Sequence, residues 1–289
     1  MNIALKDFEI KPNINIADLP TALDLNKSKS ELKEMLSDTR KELGDMQNML
    51  YAHRKYSVLV CIQGMDTAGK DSMIREVFKD FNVRGVNCYS FKKPTEEELN
   101  HDYLWRHYKK LPQRGRYAVF NRTHYENVLV AKVHPQIVLN ENIPTITKLE
   151  DIDDAFWRNR YNQINQFEKT IHESGTIIFK FFLNLSKDEQ KHRLNRRLDK
   201  PEKNWKFSPQ DLEERKKWDN YAKAYEDAIN ATSKPHSPWY NIPADNKKMA
   251  RFIVAKILLD RMSTYTDIQY PKSDLDKSIE FYKRQLENQ

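Results

Sequence analysis

The sequence predicts an α/β protein with a three-layer α/β/α arrangement and about five parallel strands. The first supporting observation is that apolar, β-branched segments alternate along the 289-residue chain with segments of helical periodicity. Such alternation connects parallel strands through right-handed crossover helices. The second is that residues 58–62 and 176–185 are apolar over nearly their whole length, as in strands buried on both faces. The length accommodates one large α/β domain with appendages or two small domains.

The predicted elements start with an extended arm at residues 1–27, in which apolar residues are scattered among polar ones and prolines. Ser28 and Glu31 have the spacing of a capping box, so a helix begins there and continues to about His53. Beyond the central strand we predict strands at 86–91, 117–120, 176–185 and 239–242, and helices at 71–81, 99–111, 151–174, 186–198, 208–231 and 247–262. The domain at 28–262 is thus flanked by the arm and by a peripheral helical tail at 263–289.

The composition favours a polyanionic partner and argues against a membrane-spanning protein. The formal net charge is +7 and the isoelectric point is near 9.1, and an excess of positive charge attracts polyanions. No apolar run approaches the roughly 18 residues of a transmembrane helix, and the first residues lack a signal-peptide pattern. Cys61 and Cys88 lie in predicted strands, where we expect them to be core residues in a reducing cytoplasm. We therefore expect a cytoplasmic protein without a membrane partner.

A glycine-containing loop separates the central strand from the next helix. Residues 64–70 fit the spacing G-x-x-x-x-G-K, and two of the six glycines of the chain lie in this loop. Glycines let successive backbone N–H groups point inward, and the following helix presents its positive N-terminal end. Lys70 adds a full positive charge. The loop is therefore predicted to bind phosphate.

Two carboxylates distinguish this loop from an ordinary nucleotide-binding loop. Asp71 stands where the motif usually has Ser or Thr, and Asp66 lies within the loop itself. A carboxylate in an anion-binding loop repels phosphate unless a cation lies between them. Asp66 thus indicates metal-mediated chemistry; the alternative is a turn residue that points to solvent.

Basic and polar residues follow the predicted strands at their carboxyl ends. Lys92 and Lys93 follow the second strand, and Asn121 and Arg122 follow the third. Ligands of parallel sheets bind at these ends, where Asp66 also lies. The convergence of these residues predicts a site at this edge of the sheet.

A basic helix after the fourth strand is a candidate lid. Arg193 and Arg197 lie four residues apart, on one helical face, and the loop 199–207, which contains Trp205 and Lys206, is predicted to be mobile. The layout resembles that of a nucleoside monophosphate kinase, in which a basic lid closes and excludes water, and it places the lid at about 187–215. The alternative for both arginines is a solvated helix face.

Four sequence blocks resemble a known family: Gly64–Asp71, His101–Arg106, Phe120–Glu126 and Lys203–Ser208. In this order they resemble the polyphosphate kinase 2 family, over roughly residues 30–262. The resemblance implies reversible phosphoryl transfer between inorganic polyphosphate and nucleotides, with magnesium. It also implies a P-loop kinase-like fold with a lid and an oligomeric assembly.

The resemblance also implies roles for individual residues. Asp66 would be a metal-linked carboxylate, Lys70 would bind phosphate, and Arg193 and Arg197 would be lid arginines. The predicted catalytic residues are Asp66, Lys70, Arg122 and Glu126, with Asp66 and Glu126 as metal ligands. The predicted phosphate-binding residues are Gly64, Thr67, Ala68, Gly69, Lys70, Asp71, Lys92, Arg106, Arg122, Arg193, Arg197 and Lys206.

Three positions depart from the pattern of much of the family or mark a branch of it. Asn121 stands where much of the family has Asp, and Thr123 replaces the usual Ser. Glu126 resembles the class III branch, which accepts nucleoside monophosphates and diphosphates. The alternative for Glu126 is an exposed glutamate at a helix start, favoured there by the helix dipole.

The leading hypothesis is a phosphotransferase that uses polyphosphate and Mg²⁺, or Mn²⁺, to convert AMP to ADP and ADP to ATP. We expect it to be a homo-oligomer, a dimer or a tetramer. The alternative enzyme is an ATP-dependent nucleotide or small-molecule kinase, which the same loop would serve. A nucleic-acid-binding module is the non-enzyme alternative, but it gives no role to Asp66, so no nucleic-acid partner is expected.

Overall fold

The computed structural model describes residues 5–275 and 277–289; the first four residues of the predicted arm and residue 276 of the tail lie outside the described residues. The described residues form a six-stranded sheet of order β1-β6-β5-β2-β4-β3. β1 pairs antiparallel with β6, and the other neighbours are parallel. The predicted sheet of five parallel strands is confirmed, and the arm adds a sixth. The strands are β1 (Glu9–Ile10), β2 (Ser57–Gly64), β3 (Val86–Ser90), β4 (Tyr117–Asn121), β5 (Thr176–Asn184) and β6 (Trp239–Pro243).

Helices cover both faces of this sheet, and several begin at the caps that the sequence predicts. Ser28 accepts the Glu31 N–H in a complete capping box, and Ser186 accepts the Glu189 N–H. The α-helices are α1 (Lys29–His53), α2 (Lys70–Val77), α3 (Glu96–Leu99), α4 (Trp105–Tyr108), α5 (Val130–Val133), α6 (Gln136–Leu139), α7 (Asp154–Glu173), α8 (Lys187–Asp199), α9 (Pro201–Asn204), α10 (Pro209–Lys216), α11 (Trp218–Thr232), α12 (Lys247–Met262) and α13 (Ile279–Glu287).

The central strand β2 is buried along its whole length. Val60 points to a core that it shares with α1, α2 and α12. Its neighbours Leu59 and Cys61 point to the opposite face, where they pack with α7 residues such as Phe167. Because successive strand residues face opposite sides, an uninterrupted apolar run fits a strand with helices on both faces.

Three helical predictions differ from the structure. Within the helix predicted at 99–111, only Leu99, the last residue of α3, and the one-turn helix α4 are helical. The helix predicted at 208–231 is divided at Lys217 into α10 and α11. The predicted loop 199–207 contains the one-turn helix α9. Proline occupies the start of α9 and of α10, and because its ring fits the first turn of a helix and not its interior, these segments begin as separate helices.

The prediction that both cysteines are core residues is wrong for Cys88. Cys61 is buried in β2, whereas Cys88 is exposed. The physical reason is position in the sheet: Cys88 lies on β3, an edge strand with a neighbour on only one side. Every residue of β3 is correspondingly half-buried or exposed.

The N-terminal arm is fastened to the C-terminal half of the domain. The Ile14 backbone exchanges two hydrogen bonds with the side chain of Asn230 on α11, at 2.9 and 3.0 Å. The Ile16 N–H donates to Glu226, also on α11 (3.0 Å). Phe8 and Ile10 are buried. The arm therefore packs as part of the fold.

None of the helices among the described residues combines the length and the apolar character that would be needed to cross a bilayer.

Candidate active site

The loop between β2 and α2 requires both of its glycines. Gly69 has a φ of 102° and directly precedes α2, a left-handed conformation that glycine adopts without steric cost. At Gly64, an added Cβ would lie 2.8 Å from the carbonyl oxygen of Leu183 on the neighbouring strand. The loop can therefore approach both β5 and a ligand closely, as phosphate binding requires.

Lys70 lies at the centre of the loop. Its Nζ donates to the carbonyl oxygens of Gly64 (2.6 Å) and Met65 (3.3 Å). Burial lowers the pKa of Lys70, and the carboxylates of Asp66 and Glu126 oppose that shift. The ammonium group is thus held in place by the loop and kept charged by its acidic neighbours.

A cleft of about 470 Å³ opens beside the loop. The loop forms one wall; residues after β4, α5, α6, α10 and α11 form the others. Five predicted site residues line it: Gly64, Asp66, Lys70, Arg122 and Glu126. The structure therefore brings together all four residues that were predicted to be catalytic.

Arg122 faces Asp66 across the mouth of the cleft. The two side chains form an ion pair of 3.8 Å (Nη2 to Oδ1), and both are more than a third exposed. Arg122 has a φ of 58°, a conformation that is costly for a residue with a Cβ and that occurs preferentially at functional sites. Its guanidinium group is accessible to a phosphate ligand.

Glu126 belongs to a 3₁₀ turn at His124–Asn127 that directly follows β4. Burial raises the pKa of Glu126, and the nearby Asp66 carboxylate adds to the rise. The positive charges of Lys70 and Arg122 and the nearby side-chain amide of Gln63 oppose it. Gln63 lies on β2 and was not predicted, because a glutamine inside an apolar strand gives no periodic signal.

A buried charged cluster fixes the turn that carries Glu126. The Lys180 Nζ on β5 donates to Glu168 on α7 (2.6 Å) and to the Tyr125 hydroxyl (2.9 Å). Glu168 also accepts from Tyr125 (2.7 Å) and contacts His124 (3.1 Å). All four side chains are fully buried. Burial alone would raise the pKa of Glu168, but the Lys180 charge and the hydrogen bond with His124 lower it.

The structure accounts physically for Asn121. Its Nδ2 donates to the carboxylate of Asp71 at 2.6 Å. A carboxylate at position 121 would repel Asp71 at this distance, whereas an amide binds it. Asp71, which stands where an ordinary nucleotide-binding loop has Ser or Thr, and Asn121 are therefore held together by a hydrogen bond.

The donor set at the loop fits a magnesium ion that is shared with phosphate. Asp66 and Glu126 both line the cleft and interact electrostatically with Lys70. No group of three or more His, Cys, Asp or Glu side chains among the described residues is arranged to hold a metal by itself. Mg²⁺ commonly uses one or two carboxylates and takes its other ligands from substrate phosphates and water.

Arg193 does not line the cleft. It is buried, and its Nε donates to Glu189 (2.7 Å). Its Nη1 donates to the carbonyl oxygens of Thr67 and Ala68, and its Nη2 to those of Ala244 and Asp245, at 2.6 to 3.1 Å. Because an arginine has five N–H donors, every donor is used. In this structure Arg193 joins the loop to the segment after β6.

The other predicted basic residues also lie outside the cleft lining. Arg197 donates to Asp211 (2.8 Å) and to the Lys206 carbonyl (2.9 Å), which joins α8 to α10. Arg106 donates to the Lys92 carbonyl (2.8 Å) and forms an ion pair with Glu98. The remaining predicted residues, Thr67, Ala68, Gly69 and Asp71, lie in or directly after the loop without lining the cleft. Phosphate binding by these residues stays a prediction.

These contacts predict that Arg193→Ala lowers stability and activity together. The substitution leaves buried carbonyl groups of the loop without donors, and we expect it to lower the free energy of unfolding by about 2–4 kcal/mol. We also expect a loss of kcat/KM, because the loop loses its support. Urea unfolding and initial rates measure the two effects.

The control is Arg197→Ala, which removes a more exposed ion pair. It should cost less stability than Arg193→Ala. An Arg193→Ala protein with unchanged stability but lost activity would contradict the supporting role and favour direct phosphate contact.

Helix α10 is tied to the residues around the cleft by one carboxylate. Glu214 contacts His134 (2.7 Å) and accepts from Tyr221 and Gln210, both also at 2.7 Å. None of these residues was predicted. Trp218, Tyr221 and Tyr225 also line the cleft; their spacing on α11 follows helical periodicity, and that aromatic stripe was the available signal.

The chain was compared with known proteins by sequence. The sequence profile of the polyphosphate kinase 2 family matches residues 26–270. An ADP-polyphosphate phosphotransferase of Rhodopseudomonas palustris is 44% identical over 276 residues, which cover 94% of each chain. An AMP/ADP-polyphosphate phosphotransferase of Meiothermus ruber is 43% identical over 241 residues, which cover 83% of this chain and 84% of that protein. The two relatives are almost equally similar, although their names state different acceptors.

The fold agrees with these relationships. The crystal structure of polyphosphate kinase 2 from Arthrobacter aurescens superposes with a TM-score of 0.88 at 35% identity, covering 98% of this chain and 95% of that one. The predicted kinase-like fold and the family resemblance are therefore both confirmed.

Proposed function

The chain belongs to the polyphosphate kinase 2 family, and we propose that it transfers the terminal phosphate of inorganic polyphosphate reversibly to AMP and to ADP. One observation supports this proposal most directly: Lys70, Arg122, Asp66 and Glu126 meet in one cleft at a phosphate-binding loop. Phosphoryl transfer depends on positioning and on charge stabilisation rather than on a covalent intermediate with the protein. The cleft supplies charges of both signs for that purpose.

The two cations have separate tasks in this proposal. Lys70 is fixed by the loop carbonyls and contacts the transferring phosphate from the α2 side. Arg122 approaches from the β4 side, with its guanidinium exposed to the cleft. Charge that develops on the phosphate oxygens in the transition state is then stabilised from two directions.

Members of this family are generally metal-dependent, and we propose Mg²⁺ as the ion. Asp66 and Glu126 are the residues that would hold it. A bound ion of this kind neutralises phosphate charge and aligns donor and acceptor. Without such an ion, both carboxylates would repel the phosphates of the substrates. Their position beside a phosphate-binding loop therefore supports a bound cation.

We further propose that residues 187–215 act as a lid. In this structure α10 is held over the cleft by the contacts of Glu214 with His134 and with Tyr221, both of which lie outside residues 187–215. A closed lid excludes water, which would otherwise compete with the nucleotide for the phosphate. Opening requires these contacts to break.

The proposed function is tested with the purified protein, Mg²⁺ and polyphosphate, with AMP or ADP as acceptor. We expect ADP and ATP to form, and chelation of the metal to stop their formation. A parallel reaction with ATP as the only phosphate donor tests the alternative kinase. Product formation from ATP but not from polyphosphate would overturn the proposal.

Glu126→Asn is expected to reduce the use of AMP selectively. A monophosphate acceptor is one phosphate shorter than a diphosphate, so it must lie deeper to be attacked at the same point. Glu126, half-buried beside Lys70, is placed to organise that contact. We expect kcat/KM for AMP to fall at least about tenfold, and kcat/KM for ADP to fall much less, in initial-rate measurements on each acceptor.

The matched control is Glu150→Gln, which removes a charge from an exposed residue outside the cleft. It should leave both acceptors unaffected. An equal loss on AMP and ADP in Glu126→Asn would show that Glu126 is a general residue of the site and does not determine acceptor choice.

A further inference from the structure

The central strand β2 carries a buried polar side chain near its carboxyl end. Residues 58–62 of the strand are apolar, and Gln63 follows them immediately before the first glycine of the loop. Gln63 is as completely buried as the apolar residues that precede it. A glutamine side chain that is removed from water needs hydrogen-bond partners, so its position in the core requires a specific contact.

The amide of Gln63 reaches the neighbouring strand. β2 and β4 are parallel neighbours in which Ile62 is paired with Asn121, so Gln63 and Thr123 both lie just beyond the last residue pair of the two strands. The Gln63 Nε2 donates to the Thr123 hydroxyl at 3.2 Å, and both side chains are fully buried. The contact joins the end of β2 to the start of the turn that follows β4.

Thr123 is the residue that caps this turn. Its hydroxyl accepts the Tyr125 N–H at 3.1 Å, and its carbonyl oxygen accepts the Glu126 N–H at 3.0 Å. Both hydrogen bonds fix the backbone of the turn relative to Thr123. A side chain that holds Thr123 therefore also determines where Glu126 lies.

Gln63 is connected to the phosphate-binding loop as well as to the turn. It directly precedes Gly64, whose carbonyl oxygen accepts from the Lys70 Nζ at 2.6 Å. Its side-chain amide lies near the Glu126 carboxylate. One residue thus links the carbonyl group that holds Lys70, through its backbone, to the turn that carries Glu126, through its side chain.

The other end of the amide shows that glutamine is not the most stabilising residue for this position. Among the described residues, the buried Oε1 of Gln63 has no hydrogen-bond partner. A buried acceptor without a donor lowers the stability of a fold, and a methionine of similar length would avoid this loss. Departures of this kind from the most stable sequence are typical of functional positions.

We propose that Gln63 is a positioning residue, which acts on the cleft through Thr123 without lining it. Its amide holds Glu126 at the distance from Lys70 that phosphoryl transfer to AMP requires. The inference rests on the proposed function, in which AMP lies deeper in the cleft than ADP and depends more on Glu126. A displacement of about 1 Å near a reacting centre can lower a rate by a factor on the order of 10².

Gln63→Met tests this role, because it keeps the length of the side chain and removes the amide. The Tyr125 N–H keeps its bond to the Thr123 hydroxyl, and the unpaired Oε1 is lost. We therefore expect the free energy of unfolding in urea to stay equal or to rise. We expect kcat/KM for AMP to fall about tenfold and kcat/KM for ADP to fall less than about threefold. A variant that unfolds more easily and loses activity on both acceptors alike would overturn the inference.

Thr123→Val provides a second measurement, because it removes the hydroxyl that Gln63 binds. If Gln63 acts through Thr123, the double variant Gln63→Met, Thr123→Val should have the same kcat/KM for AMP as Thr123→Val alone. Losses that multiply in the double variant would show that the two residues act independently, which would contradict the inference.

The matched control is Gln47→Met. Gln47 is a fully buried glutamine of α1 that lies outside the cleft lining. Its amide accepts the Asn82 N–H at 3.1 Å and donates to the Asn82 carbonyl at 3.4 Å. Because both ends of this amide are paired, its loss should lower the free energy of unfolding. It should leave the ratio of kcat/KM between AMP and ADP unchanged.

Amide hydrogen exchange separates this inference from the proposed function, because it needs no substrate. The Tyr125 and Glu126 N–H groups are bonded to Thr123, and Gln63→Met should speed their exchange while global stability is kept. Faster exchange in a protein whose wild type forms no ADP or ATP from polyphosphate would refute the function and leave the positioning role standing. Unchanged exchange and an unchanged acceptor ratio in an active enzyme would overturn the positioning role and leave the function standing.

Discussion

Lys70→Met is expected to abolish phosphoryl transfer in both directions while leaving the fold intact. The Lys70 ammonium group is held in the cleft by the Gly64 and Met65 carbonyls of the loop. Loss of one such contact to the transition state costs about 3–4 kcal/mol, which lowers kcat by a factor on the order of 10²–10³. The measurement is the initial rate of ADP and ATP formation and of the reverse reaction, with thermal unfolding in parallel.

Lys79→Met is the control for this variant. Lys79 is an exposed lysine two residues beyond the end of α2, and its loss should leave kcat unchanged. A folded Lys70→Met protein that keeps more than about a tenth of the wild-type kcat would remove Lys70 from the mechanism.

Lys180→Met is expected to produce the largest loss of stability. Lys180 is fully buried and is the positive partner of the buried Glu168 carboxylate. Removing one partner leaves an uncompensated charge in the core, at a cost of about 3–5 kcal/mol. That is a large part of the 5–15 kcal/mol by which a typical domain is stable. Urea unfolding measures the loss.

The double variant Lys180→Met, Glu168→Leu is the matched control. Because it removes both charges, we expect it to be more stable than Lys180→Met alone. If the double variant were the less stable of the two, the cluster would owe its stability to other contacts than the ion pair. The Tyr125 hydroxyl, which bonds to both partners, would be the first to consider.

The sequence predicts the parts of this site that follow from local pattern. The loop between a buried strand and a helix identified Lys70 and Asp66. The position of Arg122 and Glu126 after a strand placed them at the same edge of the sheet. These predictions succeed because the order of strand, loop and helix is determined by nearby residues and by the rules of parallel sheets.

Other features depend on contacts between distant residues and have no local signal. Arg193 and Arg197 share a helix face, but the spacing does not distinguish a guanidinium that binds phosphate from one that binds backbone carbonyls. Lys180 lies in an apolar strand, and its partner Glu168 is brought to it only by the packing of α7 on the sheet. Cys88 is exposed because its strand is at the edge of the sheet, and strand order is a property of the whole fold.

The contacts of the arm determine when it can dock during the synthesis of the protein. During translation Phe8 and Ile10 emerge from the ribosome long before the partners of this segment, because Ile14 and Asn230 are 216 positions apart. Until α11 and β6 have been synthesised, the arm has no surface to bury its apolar residues on. Its docking is therefore a late event that follows translation of nearly the whole domain, and a chain truncated before α11 would carry an exposed apolar leading segment.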